Sequence, residues 1–209
     1  MFLVVFDMDG TLNQTDAYAV EAYQNTLRDM NAGAYTREQI IARFGAPFSE
    51  DFTYFFGESD EETRQQFMKI LGNYWDRLLE EKARAYEGVL ELLENLKKEG
   101  CLLAVCSNAE EKDIHVIGER IGVLPYIDYV QPLVSGETKA DSLKRLIFRV
   151  KPGGACMVGD RWYDREAAKE AGVPFIGCAY GYAPDEVSGA YAVVQKPVEI
   201  LEAVKRLMN

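Results

Sequence analysis

From Leu102 to the C-terminus, short apolar runs alternate with amphipathic stretches, and that alternation leaves few folds open. Runs of strand length stand at Leu102–Cys106, around Tyr129–Val130, at Ala155–Val158 and at Pro174–Cys178, with a weaker one at Tyr191–Val194. Helical patterns at Glu110–Ile121, Ala140–Phe148, Asp164–Ala171 and Val198–Met208 separate or follow them. Strand and helix in turn imply βαβ units and a parallel sheet. The expected fold class is α/β, a doubly wound parallel sheet. Phe2–Phe6 adds one more strand at the N-terminus. Gly88–Glu99 adds a helix with Val89, Leu92, Leu93 and Leu96 on one face and Gly100 as its stop.

Between the first strand and Gly88 the pattern changes. Asp16–Met30, Arg37–Phe44 and Asp60–Arg84 read as helices rich in aromatic and charged residues, with no second strand signal. A parallel strand should soon be followed by its partner, so this stretch is an insertion. It predicts a helical cap over a Rossmann-like core. The expected domains are residues 1–12 with 85–209 for the catalytic core and 13–84 for the cap; the chain, at 209 residues, is long enough for both. Short linkers imply two hinged bodies. Tyr18, Tyr23, Phe52, Tyr54, Phe55 and Phe56 are expected to form mostly the core of the cap.

The formal net charge of -11 argues against nucleic acid or an anionic membrane as a partner. It also means that any phosphate site must rely on local cations. No apolar run is long enough to span a bilayer. The apolar start lacks a basic flank and is interrupted at Asp7, so no secretory leader is expected. Cys101, Cys106, Cys156 and Cys178 lie in or beside strand-like runs without metal spacing, and read as reduced core residues of a cytoplasmic protein. A monomer or weak homodimer is expected.

In a parallel sheet the C-terminal strand ends face one way, so the segments that follow strands converge on one crevice. The first is Asp7-Met8-Asp9-Gly10-Thr11-Leu12. Two carboxylates at the end of a buried strand are costly, but they suit a divalent cation and phosphoryl chemistry. Asp7 would attack phosphorus and form an aspartyl-phosphate. Asp9 would protonate the leaving oxygen and then deprotonate water. The plain alternative is a pair of solvated turn residues, which the apolar strand in front argues against. Ser107-Asn108 follows the second run; its hydroxyl and the backbone N–H groups after it can hold phosphate oxygens, and Ser is equally good as a helix N-cap. Lys139 can neutralise the nucleophile and the transferring phosphoryl group, or be a surface lysine; Lys144, inside the helix, is a weaker competitor. Gly159-Asp160-Arg161-Trp162-Tyr163-Asp164 closes the set. Asp160 can complete an oxygen-rich Mg²⁺ site. Asp164 can bind metal through water, orient Lys139, or cap the next helix.

These four segments, in this order and spacing, resemble the motifs of the haloacid dehalogenase-like superfamily of hydrolases over nearly the whole chain. The insertion after the first motif is similar to that family's C1-type cap. Glu170-Ala171-Gly172-Val173-Pro174 through Tyr180-Gly181-Tyr182 resembles the phosphoglycolate phosphatase-like branch. The resemblance implies Mg²⁺ held by Asp7, the backbone carbonyl of Asp9 and Asp160. It implies Thr11, Ser107 and Asn108 as phosphate contacts. Two departures blur the subgroup: Gln14-Thr15 stands where an acidic residue and Ser or Thr are common, and Lys139-Ala140 where Lys-Pro is.

An acid at Asp9 fits an alkoxide leaving group. Dehalogenases carry an aromatic residue there, and phosphonatases an alanine. Sugar phosphomutases of similar shape keep the acid but carry a histidine early in the cap. The single histidine here, His115, lies in the core part and reads as an ordinary helix residue. The expected activity is a Mg²⁺-dependent phosphatase acting on a small phosphorylated metabolite. A phosphomutase and a non-catalytic binding module are the alternatives. Specificity is expected from the turn Arg43-Phe44-Gly45-Ala46-Pro47-Phe48, with Arg43, Gly45 and Pro47 as candidates. Gly and Pro permit a tight turn. Arg43 can meet a carboxylate or second phosphate, or be an exposed arginine beside a core phenylalanine. The Arg161-Trp162-Tyr163 cluster is a further possible gate.

Overall fold

The structure, a computed structural model, describes residues 1–45, 48–58 and 60–209, and the side chains of all of these except 48–50. Six strands, β1 (Phe2–Phe6), β2 (Leu102–Cys106), β3 (Tyr129–Gln131), β4 (Gly154–Gly159), β5 (Phe175–Cys178) and β6 (Ala192–Val194), form one sheet. Its order is β3-β2-β1-β4-β5-β6, and every neighbouring pair is parallel. The nine α-helices of the described residues are α1 (Ala19–Asp29), α2 (Arg37–Ile41), α3 (Phe48–Phe56), α4 (Glu61–Lys82), α5 (Val89–Lys98), α6 (Glu111–Arg120), α7 (Lys139–Val150), α8 (Trp162–Ala171) and α9 (Ile200–Met208).

Both faces of the sheet are covered, which is why β1, β2 and β4 are apolar throughout rather than alternating. Leu3, Val5, Ala104, Cys106 and Met157 pack on Leu143 and Leu146 of α7 and on Ala167 and Ala168 of α8. Val4, Phe6, Leu103, Val105 and Val158 pack on Leu92 of α5, Ile114 and Ile117 of α6, and Ile200 and Val204 of α9. All four cysteines are buried and free. The strand order runs outward in opposite directions from β1, which puts a crevice at the C-terminal end of β1, between β2 and β4.

The stretch between β1 and α5 holds α1 to α4 and no strand among the described residues. Tyr18, Tyr23, Phe52 and Phe55 are buried there as expected, whereas Tyr54 is exposed. Two differences from the expectations stand out. α2 ends at Ile41, not Phe44, because the chain tightens there: Arg43 N–H bonds Ile40 O and Phe44 N–H bonds Ile41 O, both at 3.0 Å. α3 is an additional helix that the sequence pattern did not set apart. The two chain passages linking this stretch to the sheet run side by side. Gln14 N–H bonds Arg84 O at 3.0 Å, Tyr86 N–H bonds Leu12 O at 3.1 Å, and Asn13 bridges Ala85. No helix of the described residues is long and apolar enough to cross a membrane.

Candidate active site

Strand alternation aims the first carboxylate. Leu3 and Val5 face α7 and α8, and Asp7, two residues on, continues on that side. Its N–H still bonds Val158 O of β4, at 2.8 Å. Lys139 opens α7, where Thr138 and Asp141 form a reciprocal cap. A cation at a helix N-terminus opposes the helix dipole, and this one is buried as well. Two carboxylates hold it there: Nζ contacts Oδ1 of Asp7, and lies 2.6 Å from Oδ1 of Asp164. Asp164 sits in the first turn of α8, and its Oδ2 accepts the N–H of Arg161 at 3.0 Å. It therefore caps the helix and partners Lys139 at once. Lys144 pairs instead with Glu170, at 2.9 Å on the surface.

Asp160, the residue after β4, is fully buried. Its Oδ2 accepts the N–H of Tyr182 at 2.7 Å, while its Oδ1 has no hydrogen-bond partner. Carboxylate oxygens of Asp7, Asp160 and Asp164 lie within 4.8 Å of one another. Three carboxylates and one ammonium in a buried cluster leave negative charge uncompensated. Burial pushes the Asp7 carboxyl up to about 7, Lys139 acting against the rise and Asp164 and Asp9 with it. Burial, then Asp7 and Asp164, raise Asp160 well above the usual carboxylate range. Lys139 is raised although burial opposes it, because Asp164 and Asp7 favour its charged form. An unpartnered buried carboxylate oxygen beside two further carboxylates is what a hard divalent cation needs, so the donor set fits one.

The backbone makes room for this cluster at Gly10. Its φ is +80°, and a Cβ there would lie 2.3 Å from Oδ2 of Asp160. Gly10→Ala is therefore expected to cost about 2–3 kcal/mol, from the left-handed backbone and the collision. Thermal melts should show that loss, and they should show a smaller rise on adding a divalent cation than the parent gives.

Asp9 is partly buried. Its Oδ1 accepts the Thr15 hydroxyl at 2.5 Å and the Asn13 amide at 3.0 Å. Asn13 is fully buried and also reaches Tyr18 Oη at 2.9 Å. At the departure Gln14-Thr15, then, the hydroxyl that meets the acid is present. Thr11 Oγ1 is buried without a partner, and its carbonyl accepts the Tyr180 hydroxyl at 2.9 Å. Ser107 is buried, and its Oγ accepts the N–H of Ala109 at 3.2 Å. It is not the N-cap of α6, which is Glu110. The Asn108 amide reaches out of the crevice and donates to Gly45 O at 2.8 Å.

Among the specificity candidates, Arg43 is partly buried, not exposed, and the carboxylate it meets belongs to the same helical insertion. Its Nε lies 3.2 Å from Oδ1 of Asp51, whose Oδ2 accepts the Tyr23 hydroxyl at 2.6 Å. Its guanidinium also stands over the Tyr54 ring, 5.2 Å from the centroid. Gly45 has φ +86° and faces Arg161. Pro47 lies outside the described residues. Arg161 is buried, while Trp162 is exposed and stacks on Tyr163 with ring centroids 4.0 Å apart. His115 is a surface residue of α6, near Glu111. Sequence reasoning missed Asn13 and Tyr182. Asn13 stands next to the first motif and Tyr182 in the closing run, but neither position signals its role, and the Tyr182 N–H that grips Asp160 leaves no side-chain signature.

The chain is similar to several known proteins over most of its length. A pyrophosphatase, PpaX, of Bacillus velezensis is 28% identical over 213 residues, covering 99% of this chain and 94% of that one. A phosphoglycolate phosphatase of Rhodospirillum rubrum is 30% identical over 209 residues, covering 91% of this chain and 85% of that one. A haloacid dehalogenase-like hydrolase of Streptococcus pneumoniae superposes with a TM-score of 0.84 at 19% identity, covering 97% of each chain, a likeness of fold. The profile of the haloacid dehalogenase-like hydrolases matches residues 4–178, from β1 to the end of β5. With that span matched and a six-stranded parallel sheet to carry it, the chain belongs to the haloacid dehalogenase-like hydrolase family.

Proposed function

We propose that this hydrolase is a Mg²⁺-dependent phosphatase that cleaves a small phosphomonoester in the cytoplasm through an aspartyl-phosphate on Asp7. The observation that carries the reading is Asp7 itself: buried, in contact with Lys139, beside the unpartnered Oδ1 of Asp160, and two residues from a second carboxylate. In the first step a carboxylate oxygen of Asp7 bonds to phosphorus as the bond to the leaving oxygen breaks, and Asp9 gives that oxygen a proton. In the second step Asp9 takes a proton from water, the water oxygen bonds to phosphorus, and Asp7 and inorganic phosphate separate. Lys139 supplies positive charge where the transferring group gathers negative charge. Thr11, Ser107 and the N–H groups after Ser107 are proposed to hold its oxygens. Held by Asp7, the Asp9 carbonyl and Asp160, with Asp164 alongside, Mg²⁺ would draw charge from the phosphoryl oxygens and offset the repulsion among the carboxylates.

In this reading residues 13–84 act as a cap on the core of residues 1–12 and 85–209, hinged where Gln14 and Arg84 pair. Relatives named pyrophosphatase and phosphoglycolate phosphatase support a compact substrate. The test is phosphate release from a panel containing phosphoglycolate, pyrophosphate, sugar phosphates and nucleotides, with Mg²⁺ and with a chelator. Chelator-sensitive release from one or a few compact members is expected. Isomerisation of a sugar phosphate without phosphate release would replace the reading with a phosphomutase. No turnover by the folded, metal-supplemented protein would replace it with a binding role.

A further inference from the structure

Two side chains, each one residue past a candidate site residue, reach the same peptide of the helical insertion. Asn108 follows Ser107 beyond the end of β2, and its Nδ2 donates to Gly45 O at 2.8 Å. Arg161 follows Asp160 beyond the end of β4, and its Nη1 donates to Phe44 O. In the sheet β2 and β4 flank β1, so these two anchors stand on opposite sides of Asp7. The Phe44–Gly45 peptide is thus held by donors from both sides of the strand that carries Asp7.

The grip is built rather than incidental. The Arg161 guanidinium is fixed on its other edge by Glu186, Nε to Oε2 at 3.0 Å, and Glu186 Oε2 also accepts the N–H of Trp162 at 2.9 Å. A planar fork held at one edge presents its remaining donors in a set direction. Gly45, with φ +86°, brings its backbone so close that a Cβ would lie 3.3 Å from Arg161 Cγ. The Phe44 ring packs edge-on against Tyr182, centroids 5.2 Å apart, and the N–H of Tyr182 holds Asp160. α2 has ended by this point, and these two donors supply both carbonyls with hydrogen bonds.

We propose that Asn108 and Arg161 are specificity-determining positioning residues: a two-point clasp that seats the Phe44–Gly45 turn as a roof over the crevice and so selects compact leaving groups. A bulky leaving group would have to displace the roof and break both contacts, whereas a compact one leaves both in place. Closure then comes free with the right substrate and costs two hydrogen bonds, one of them charge-assisted, with the wrong one. The inference rests on the phosphatase reading of the crevice, and adds to it which substrates that site should prefer and why.

The experiment measures kcat and KM for a compact ester, phosphoglycolate, and a bulky one, adenosine monophosphate. The proteins are the parent, Arg161→Ala, Arg161→Lys and Asn108→Leu. The parent should favour the compact ester. Arg161→Ala and Asn108→Leu should each lose about tenfold or more in kcat/KM on it, the scale of one lost hydrogen bond to a charged or oriented donor. Both should lose far less on the bulky ester, so that the preference ratio falls severalfold. Arg161→Lys, which keeps the charge and a donor, should recover part of the ratio. Loss of packing alone would lower both esters in parallel, so a ratio unchanged in the variants overturns the clasp. A parent that favours the bulky ester overturns it as well. Should Arg161→Ala fail to fold, Asn108→Leu decides the matter. A parent that turns over neither these esters nor any other overturns the phosphatase reading and the clasp together; an active parent with an unmoved ratio overturns the clasp alone.

Discussion

Asp7→Asn is expected to abolish turnover, by about 10⁵-fold or more, and to leave the protein folded. Loss of a covalent nucleophile costs about 10⁶-fold in kcat in a well-characterised hydrolase, and an amide of the same shape is no substitute. The fold should survive because Lys139 keeps Asp164, 2.6 Å away, and because one of several crowded carboxylates has been neutralised. Asp9→Asn should behave differently. A general acid–base contributes about 10²–10⁴-fold, and the first half of its work is dispensable when the leaving group departs without a proton. With p-nitrophenyl phosphate, the variant should release one equivalent of nitrophenolate per site quickly and then stall, because water attack still lacks its base. Intact mass after an acid quench should show the trapped phosphate on the protein. An Asp7→Asn protein as active as the parent would end the mechanism. An Asp9→Asn protein that slows equally with every leaving group, and traps nothing, would take the acid role from Asp9.

The parts of this molecule that sequence reads well are those fixed by local chemistry. β1, β2 and β4 are continuous apolar runs because both faces are covered, and Asp7, Ser107 and Asp160 stand at or just beyond their ends. Lys139 and Asp164 fall in the first turns of α7 and α8, at positions the βα alternation already marked. What was hidden depends on partners distant in the chain. Ser107 read equally as a phosphate contact and as a helix cap, and only the fold, in which α6 starts four residues later, removes the cap. α3 went unmarked because its aromatics at 52, 54, 55 and 56 are too dense to outline one face. Without α3 the partner of Arg43 could not be named, since Asp51 lies on it. The hydrogen bonds from Arg161 to Phe44 and from Tyr182 to Asp160 join backbone to side chain across 117 and 22 residues, and no residue pattern announces either.

Asp160→Asn should move stability and function in opposite directions. In the metal-free protein Asp160 is fully buried, lacks a partner at Oδ1 and faces two other carboxylates. An asparagine keeps the acceptor for Tyr182 N–H and turns a donor toward those carboxylates. Removing an unpaired buried charge of this kind should stabilise the metal-free protein by about 2 kcal/mol, a rise in Tm of about 4–8 °C for a chain of this size. The gain should depend on pH with a defined sign. Burial and the neighbouring carboxylates raise Asp160 above the usual carboxylate range, so its folded pKa exceeds the unfolded value of about 4. Such a group binds its proton more tightly in the folded state. Its contribution is therefore fully favourable below about pH 4 and is lost as pH rises through the folded pKa. In chelator, the two proteins should melt together near pH 4 and separate progressively toward neutral pH, the variant melting higher. Divalent cation should reverse the order. At 100 times its Kd it stabilises the parent by about 2.7 kcal/mol, while a site that has lost this oxygen responds little. Turnover should fall about 10³-fold, the several kcal/mol that a cation contributes to phosphoryl transfer. Equal melting temperatures in chelator across that pH range, or a cation response in Asp160→Asn matching that of the parent, would remove Asp160 from the metal site.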